Sequence, residues 1–190
     1  MNNTPHTNCL TLRLLHTAKG YKAVTFDIFD TLLKRDCARP ADLFALMEVT
    51  HQAALGFAEA RVAAEAETRQ TLGREVTLAE IYAHPALRGT DPTAECAAEL
   101  AMIAPNRPVA QAAAACHARG QKVYAVSDMY LPKEQIEAML QKCGLDFLDG
   151  VFVSCEYRVQ KRSGKLFKLF LQQTASVSYT HLTLPTTPYV

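Results

Sequence analysis

Three short apolar runs, each ending in a polar residue, dominate the pattern of hydrophobic and polar positions. They read "YKAVTFD", "QKVYAVSD" and "FLDGVFVS". Nearly continuous apolar runs of this length are typical of strands that are buried on both faces of a parallel sheet. We therefore predict three parallel strands, which end at Asp27, at Ser127 and near Ser154.

Amphipathic helices are predicted before, between and after the second and third strands. "LPKEQIEAMLQKCGL" carries its apolar residues on one face, has Pro132 in its first turn and reaches a stop signal at Gly144. "NRPVAQAAAACHARGQ", with its stop at Gly120, precedes the second strand, and "GKLFKLFLQQ" follows the third. This alternation predicts an α/β fold, a Rossmann-like parallel sheet with helices on both faces.

The segment between the first and second strands breaks this alternation. "PADLFALMEVTHQAALGFAEARVAAEAETRQTL" reads as one helix after another, so we predict an all-helical cap over residues 37–105, inserted after the first core strand. Residues 20–36 and 106–176 then form the core, incomplete at its C-terminus. Sheets of this kind bind ligands at the carboxyl ends of their strands, so the candidate site should lie there.

Composition and charge narrow the classes of partner. The 190 residues carry 20 basic and 19 acidic side chains, a net charge of +1, so we expect neither nucleic acid nor a membrane surface as a partner. No window approaches the ~20 apolar residues of a membrane helix, and no secretion signal precedes the first strand. The six cysteines are scattered without a CxxC pair, which predicts reduced thiols in a cytoplasmic protein.

The C-terminal end differs in composition from the rest of the chain. From Val177 onward it is rich in Thr and Pro, and "VSYTHLTLPT" resembles the translation of an adapter used in sequencing libraries. A natural extended linker would have a similar composition. We predict that residues 177–190 are a non-native tail and that the natural chain is cut off near Ser176.

The predicted strand ends bring together groups suited to nucleophilic attack on a phosphoryl group or an activated carbon. Asp27 offers a carboxylate nucleophile, which can form a covalent intermediate that water then resolves. Ser127 offers a hydroxyl for anionic oxygens, and Lys161, after the third strand, offers a compact positive charge. Mg²⁺ would be the expected helper for phosphate chemistry because it prefers oxygen ligands.

These motifs resemble those of the haloacid dehalogenase-like hydrolase superfamily. Asp27 in "VTFDIFDTLL" matches the nucleophile of its first motif, and Thr31 matches the Thr or Val of that motif. Ser127 matches the phosphate-binding hydroxyl of the second motif and Lys161 the lysine of the third. In the phosphatases of the superfamily, the nucleophile and the backbone carbonyl two residues later bind Mg²⁺, which here implies Asp27 and the carbonyl of Phe29.

The resemblance implies an activity and a set of partners. It implies Mg²⁺-dependent hydrolysis of a phosphorylated small molecule, with Thr31, Ser127 and Asp128 near the phosphate. "FDIFDTLL", "SDMYL" and "KRSGKLF" look most like a branch that accompanies glycosyltransferases of polysaccharide biosynthesis, which implies a glycosyltransferase association. Two alternatives stay open: dehalogenase-like hydrolysis without Mg²⁺, and a catalytically silent module that binds a ligand or partner in glycan biosynthesis.

Two departures from the phosphatase pattern bear on the mechanism. The acid/base residue two places after the nucleophile is replaced by Phe29, and Asp30 stands one place further on. Asp30 is therefore either the acid/base residue, brought inward by a loop, or a structural residue of the turn. The acidic fourth motif should fall within residues 177–190, which contain no Asp or Glu, so we expect the chain as given to bind Mg²⁺ poorly.

Two arginines near these motifs have simpler interpretations. Arg35, just past the first motif, either contacts the substrate or lies on the surface, the commoner position for an arginine. Arg61 and Glu65 are four residues apart on a predicted helix, which favours an exposed ion pair over a contact between Arg61 and the substrate.

Overall fold

The computed structural model describes residues 8–174 and 181–183 of the chain. Its strands form a parallel sheet of four strands and a separate antiparallel pair. The strands are Ala23–Phe26 (β1), Leu33–Arg35 (β2), Ile103–Pro105 (β3), Lys122–Ser127 (β4), Gly150–Val153 (β5) and His181–Thr183 (β6).

The parallel sheet has the order β5-β4-β1-β6. Every residue of β1 is buried, as expected for a central strand covered on both faces. Ala23 pairs with Lys122 and Phe26 with Ala125, so β1 and β4 run in parallel and end at the same edge. The predicted α/β fold with a parallel sheet is confirmed, and the three strands end where the apolar runs end.

Helices cover the sheet and form the insert. The three helices predicted around the second and third strands are present, and the breaks at Gly120 and Gly144 have the positive φ angles of 79° and 70° that favour glycine. The α-helices are Cys9–Thr17 (α1), Asp42–Val49 (α2), Phe57–Leu72 (α3), Leu78–Tyr82 (α4), Pro92–Met102 (α5), Arg107–Ala118 (α6), Lys133–Lys142 (α7), Ser154–Tyr157 (α8) and Lys165–Gln173 (α9).

The insert differs from the expected all-helical segment at its end. Residues 103–105 form β3, which pairs with β2 in antiparallel register, Leu33 opposite Pro105. The ribbon forms where the chain leaves the core and returns to it, and the Leu33 N–H also donates to the Ile28 carbonyl at 2.9 Å. This long-range pairing leaves little trace in the local pattern.

Arg61 forms the polar centre of the cap. Its side chain is completely buried, and Nε and Nη2 donate to the two carboxylate oxygens of Glu95 at 2.6 and 2.9 Å. The rings of Phe44 and Tyr130 lie 4.8 and 4.7 Å from the guanidinium carbon. The expected pair with Glu65 is present at 3.1 Å, but the expectation that it is exposed was wrong, because Arg61 faces the interior of the cap.

Two glutamates of the cap bind the core. Glu75 is buried and accepts hydrogen bonds from Ser154 Oγ at 3.2 Å and from Gln160 Nε2 at 2.7 Å. Glu80 accepts from Arg74 of the cap and from Arg158, which follows α8 in the core. These contacts fix the cap over the carboxyl ends of β4 and β5.

The contacts of Glu80 predict that the free energy of unfolding depends on pH. Hydrogen bonds from Arg74, Thr77 and Arg158 lower the pKa of Glu80 from 4.5 to about 2. The unfolded chain therefore binds the proton first as the pH falls, so this contribution is present above about pH 4.5 and is lost towards pH 2. Because Glu80 is partly solvent-exposed, we expect about 1 kcal/mol.

Urea unfolding of the Glu80→Gln variant between pH 7 and pH 2 tests this expectation. The variant should be less stable than the wild type at pH 7, and the difference should vanish near pH 2. Glu134→Gln is the matched control, since Glu134 is exposed on α7 without a recorded ion pair among the described residues. A difference that stays constant with pH would contradict the expectation.

None of the helices in the described part of the chain is long and apolar enough to cross a membrane. The six cysteines all lie in that part and are free thiols.

Residues 181–183 of the predicted tail lie beside β1 as β6, with Leu182 paired to Val24. The remaining residues of 177–190 lie outside the described residues. The non-native origin of the tail stays a prediction.

Candidate active site

Asp27 follows the last residue of β1 and faces Lys161. Its Oδ1 accepts the N–H of Ile28 at 2.8 Å, and Lys161 Nζ lies 2.8 Å from the same oxygen. Both side chains are partly open to solvent, 16% for Asp27 and 20% for Lys161. The structure thus brings the predicted nucleophile and the predicted cation into direct contact at the edge of the sheet.

Asp128 holds the backbone that carries Lys161. Its Oδ1 accepts the Lys161 N–H at 2.8 Å. Desolvation raises the pKa of the Asp128 carboxyl, and the hydrogen bond from Lys161 opposes that rise only in part. In this structure Asp128 positions Lys161, a contact that the sequence did not indicate; its predicted role near a phosphate stays a prediction.

Ser127 is the last residue of β4 and is 2% exposed. It lies beside β1, since Ala125 of β4 pairs with Phe26. Ser127 therefore sits at the same edge of the sheet as Asp27, as the sequence predicted.

Thr31 is buried in the turn after β1. Its carbonyl accepts Asn106 Nδ2 at 2.7 Å, while its Oγ1 has no hydrogen-bond partner among the described residues. A buried hydroxyl without a partner costs about 1–3 kcal/mol. The role near the phosphate that the motif implies for Thr31 stays a prediction.

Thr31→Val is expected to raise the free energy of unfolding by about 1 kcal/mol and to weaken phosphate binding, because it removes an unpaired hydroxyl at nearly constant volume. Thr11→Val is the matched control of opposite sign, since the buried Thr11 Oγ1 donates to the Pro108 carbonyl at 2.8 Å. Urea unfolding and phosphate titration measure both effects. Destabilisation by Thr31→Val would contradict the expectation.

Phe29 occupies the place of the phosphatase acid and packs against the cap. The Arg35 guanidinium lies 4.0 Å from the centre of its ring, and Arg35 forms a bidentate pair with the buried Glu99 of α5. Arg35 is only 7% exposed, so the expectation of a surface residue was wrong. The phenyl ring and Arg35 together join the loop after the nucleophile to the cap.

Asp30 lies in the turn after Phe29 with φ at 58°, a left-handed conformation that is uncommon outside glycine. Asp30 is exposed, and its negative charge helps to raise the pKa values of Arg35 and Cys37. Arg35 is the last residue of β2 and Cys37 follows it, so both interactions are on the side of the β2-β3 ribbon. The acid/base role of Asp30 stays a prediction.

The described residues do not complete a magnesium site. No group of three or more His, Cys, Asp or Glu side chains that could hold a metal occurs among residues 8–174 and 181–183. One oxygen of Asp27 already faces Lys161, so Asp27 and the Phe29 carbonyl would be only part of the expected ligand set.

A cationic cleft lies beside Lys161, between the cap and the core. It has a volume of about 360 Å³. The cap contributes Arg69 and Arg74, and the core contributes three cations. The basic residues that line this cationic cleft are Arg69, Arg74, Arg158, Arg162 and Lys165.

Ser154 and Glu75 have contacts near the site that were not predicted. The buried Ser154 Oγ also accepts the Met129 N–H at 2.9 Å, which orders the backbone after Asp128. Its position at the end of the third apolar run was a signal that it lies near the site. Glu75 carried no comparable signal, because its partners in the core lie 79 and 85 residues away.

Comparison with known proteins supports the fold. No family model matches the sequence, and no curated protein matches it. Among solved structures, it is similar to a magnesium complex of a HAD family enzyme from Bacteroides thetaiotaomicron, with 14% identity, coverage of 90% of this chain and 86% of that one, and a TM-score of 0.60.

Two dehalogenases are also similar to this chain in structure. The defluorinating L-2-haloacid dehalogenase Rha0230 has 21% identity, coverage of 86% and 72%, and a TM-score of 0.58. The L-2-haloacid dehalogenase from Xanthobacter autotrophicus with chloropropionic acid covalently bound has 20% identity, coverage of 86% and 69%, and a TM-score of 0.54. The chain therefore has the fold of the haloacid dehalogenase-like enzymes.

Proposed function

We propose that the protein is a hydrolase that uses Asp27 as a covalent nucleophile on a phosphorylated small molecule, such as a sugar phosphate or a sugar nucleotide. The observation that carries the proposal is the 2.8 Å contact between Asp27 and Lys161 at the carboxyl edge of the sheet. A carboxylate and a lysine at this edge, beside the Ser127 hydroxyl, are the groups that a two-step phosphoryl transfer needs.

In the first step, a carboxylate oxygen of Asp27 attacks phosphorus and the bond to the ester oxygen breaks. The leaving alkoxide takes up a proton from solvent water, and the phosphoryl group stays on Asp27. Water then attacks phosphorus, which releases inorganic phosphate and restores the carboxylate. Lys161 offsets the negative charge on the phosphoryl oxygens, and Ser127 can donate to one of them.

Mg²⁺ would supply further positive charge at the phosphoryl oxygens when bound. The resemblance implies this requirement, but the described residues supply only part of the ligand set. Resequencing past codon 176 is a direct check. If no acidic pair follows an apolar strand there, the Mg²⁺ requirement should be dropped from the proposal.

Dehalogenase-like hydrolysis is the second candidate, and Phe29 favours it. A halide leaves without a proton, so a site with a phenyl ring in place of the acid can still release it. Asp27 would attack carbon, halide would leave, and water would hydrolyse the aspartyl ester. The Phe29 ring packs against the Arg35 guanidinium at 4.0 Å. This contact holds the ring in position, so Asp30 does not simply take the position of Phe29.

A panel of phosphate esters and 2-haloacids, each with Mg²⁺ and with EDTA, tests the proposal. Phosphate release from an ester supports it. Halide release with EDTA, and no phosphate release, overturns it in favour of the second candidate. Ester binding without turnover overturns it in favour of a silent module, for which the inferred glycosyltransferase association would be the next test.

We also infer a cytoplasmic location. All six cysteines are free thiols, two of them buried, which is usual for a protein of a reducing compartment. Fractionation of cells that express the tagged protein tests this inference.

A further inference from the structure

The cationic cleft holds more positive charge than its carboxylates offset. Arg69 pairs with Glu65 and Glu75, while Arg74 and Arg158 share Glu80. Arg162 and Lys165 are exposed, and neither side chain has an ion-pair or hydrogen-bond partner among the described residues. Five cations thus face three carboxylates, and the two unpaired cations are both on the core side.

The cleft adjoins the candidate nucleophile. Gln160 and Arg162 line it, and Lys161 between them points to Asp27 at 2.8 Å. The backbone on both sides of Lys161 is fixed, by Gln160 to Glu75 at 2.7 Å and by the Lys161 N–H to Asp128 at 2.8 Å. A group in the cleft and a group on Asp27 would therefore lie on either side of the segment that carries Lys161.

The three paired arginines are ordered before any ligand arrives. Glu65, Glu75 and Glu80 hold them in place, so little conformational entropy remains to be lost on binding. Arg158 has φ at 59°, a conformation that is rare for a residue other than glycine and is often retained near functional sites. Arg162 and Lys165 remain available to bind an anion, by a planar fork and a point charge respectively.

We propose that the cationic cleft binds a second anionic group of the substrate, a phosphate or a carboxylate, while the first phosphate lies at Asp27. This inference rests on the proposed function and narrows its substrate class to small molecules with two anionic groups. The cleft is concave and bordered by the cap, which suits a compact anion rather than an extended polyanion. The small net charge of the whole chain, +1, agrees with that restriction.

Calorimetric titration of the full chain tests the inference. The probes are fructose 6-phosphate and fructose 1,6-bisphosphate, which differ in the second phosphate alone. We expect the bisphosphate to bind at least about tenfold more tightly, because charge-assisted hydrogen bonds to the second group add to those to the first. 6-Phosphogluconate, which carries a carboxylate and one phosphate, then shows whether the cleft accepts any anion or prefers phosphate.

The double variant Arg162→Ala/Lys165→Ala should bring the ratio of the two affinities to about one. Lys168→Ala is the matched control, because Lys168 is an exposed lysine of the same helix outside the cleft; it should leave the ratio unchanged. The advantage of the bisphosphate should also shrink as NaCl is added, since the cleft is open to solvent.

The possible failures are distinguishable. Equal affinity of the wild type for both fructose esters, or no binding of either, overturns the inference. A tenfold advantage that survives the double variant also overturns it. In a third outcome, the bisphosphate binds more tightly, the gain depends on Arg162 and Lys165, and no ester is hydrolysed. That outcome overturns the proposed function and supports the inferred anion site.

Discussion

Replacing Asp27 with asparagine is expected to reduce turnover of the best phosphate ester to less than about one thousandth of the wild-type rate. The amide is not a nucleophile, so no covalent intermediate can form. The fold should persist, because Asn keeps the oxygen that accepts the Ile28 N–H. The lost pair with Lys161 is partly exposed and contributes at most about 1 kcal/mol to stability.

The measurement compares kcat and intact mass for the wild type and two variants. Asp146→Asn is the control, since Asp146 is exposed and precedes β5, at the opposite end of the strands from Asp27. It should keep the wild-type rate. A covalent phosphoryl adduct trapped by acid quenching should appear in the wild type and be missing from Asp27→Asn. A variant that keeps a tenth of the activity would remove Asp27 from the nucleophile role.

Arg61→Ala is expected to lower the free energy of unfolding by about 3–5 kcal/mol. Arg61 and Glu95 are both fully buried, so removal of the cation leaves a carboxylate in the interior without its main partner. Tyr82, which donates to Glu95 at 2.9 Å, cannot offset the charge. Since domains of this size are stable by only about 5–15 kcal/mol, the cap should lose much of its ordered structure.

Urea unfolding followed by circular dichroism measures this loss. Arg39→Ala is the control, because Arg39 pairs with Asp42 on the surface and its side chain is 81% exposed; it should cost less than about 1 kcal/mol. Arg61→Met/Glu95→Leu removes both charges and should recover a large part of the stability. A loss of less than about 1 kcal/mol in Arg61→Ala would contradict the prediction and show that the Glu95 carboxylate becomes hydrated in the variant.

The core of the fold was predictable because its signals are local. The apolar runs define β1, β4 and β5, and the parallel arrangement then places Asp27 and Ser127 at one edge. Lys161 could be placed there by its position after the third strand. These inferences need only the residues within each run and the rule for parallel sheets.

The cap and its contacts were predictable only in outline. The burial of Arg61 depends on Glu95, 34 residues away, and Glu75 pairs not only with Arg69 of the cap but also with Ser154 and Gln160 of the core. The β2-β3 ribbon exists because two distant segments meet. Helical periodicity indicates which face of a helix is apolar, but it does not identify the carboxylate that will lie opposite a buried cation.

The contact between Phe29 and Arg35 connects the cap to the loop that follows the nucleophile. The ring lies two residues from the nucleophile, and Arg35 connects it to Glu99 in α5. The chain enters the cap through the same ribbon, and β3 of that ribbon directly follows α5, so α5 is joined to the nucleophile loop both by side chains and by the backbone. We therefore expect a substitution of Glu99 to displace the loop after the nucleophile although Glu99 itself lies in the cap.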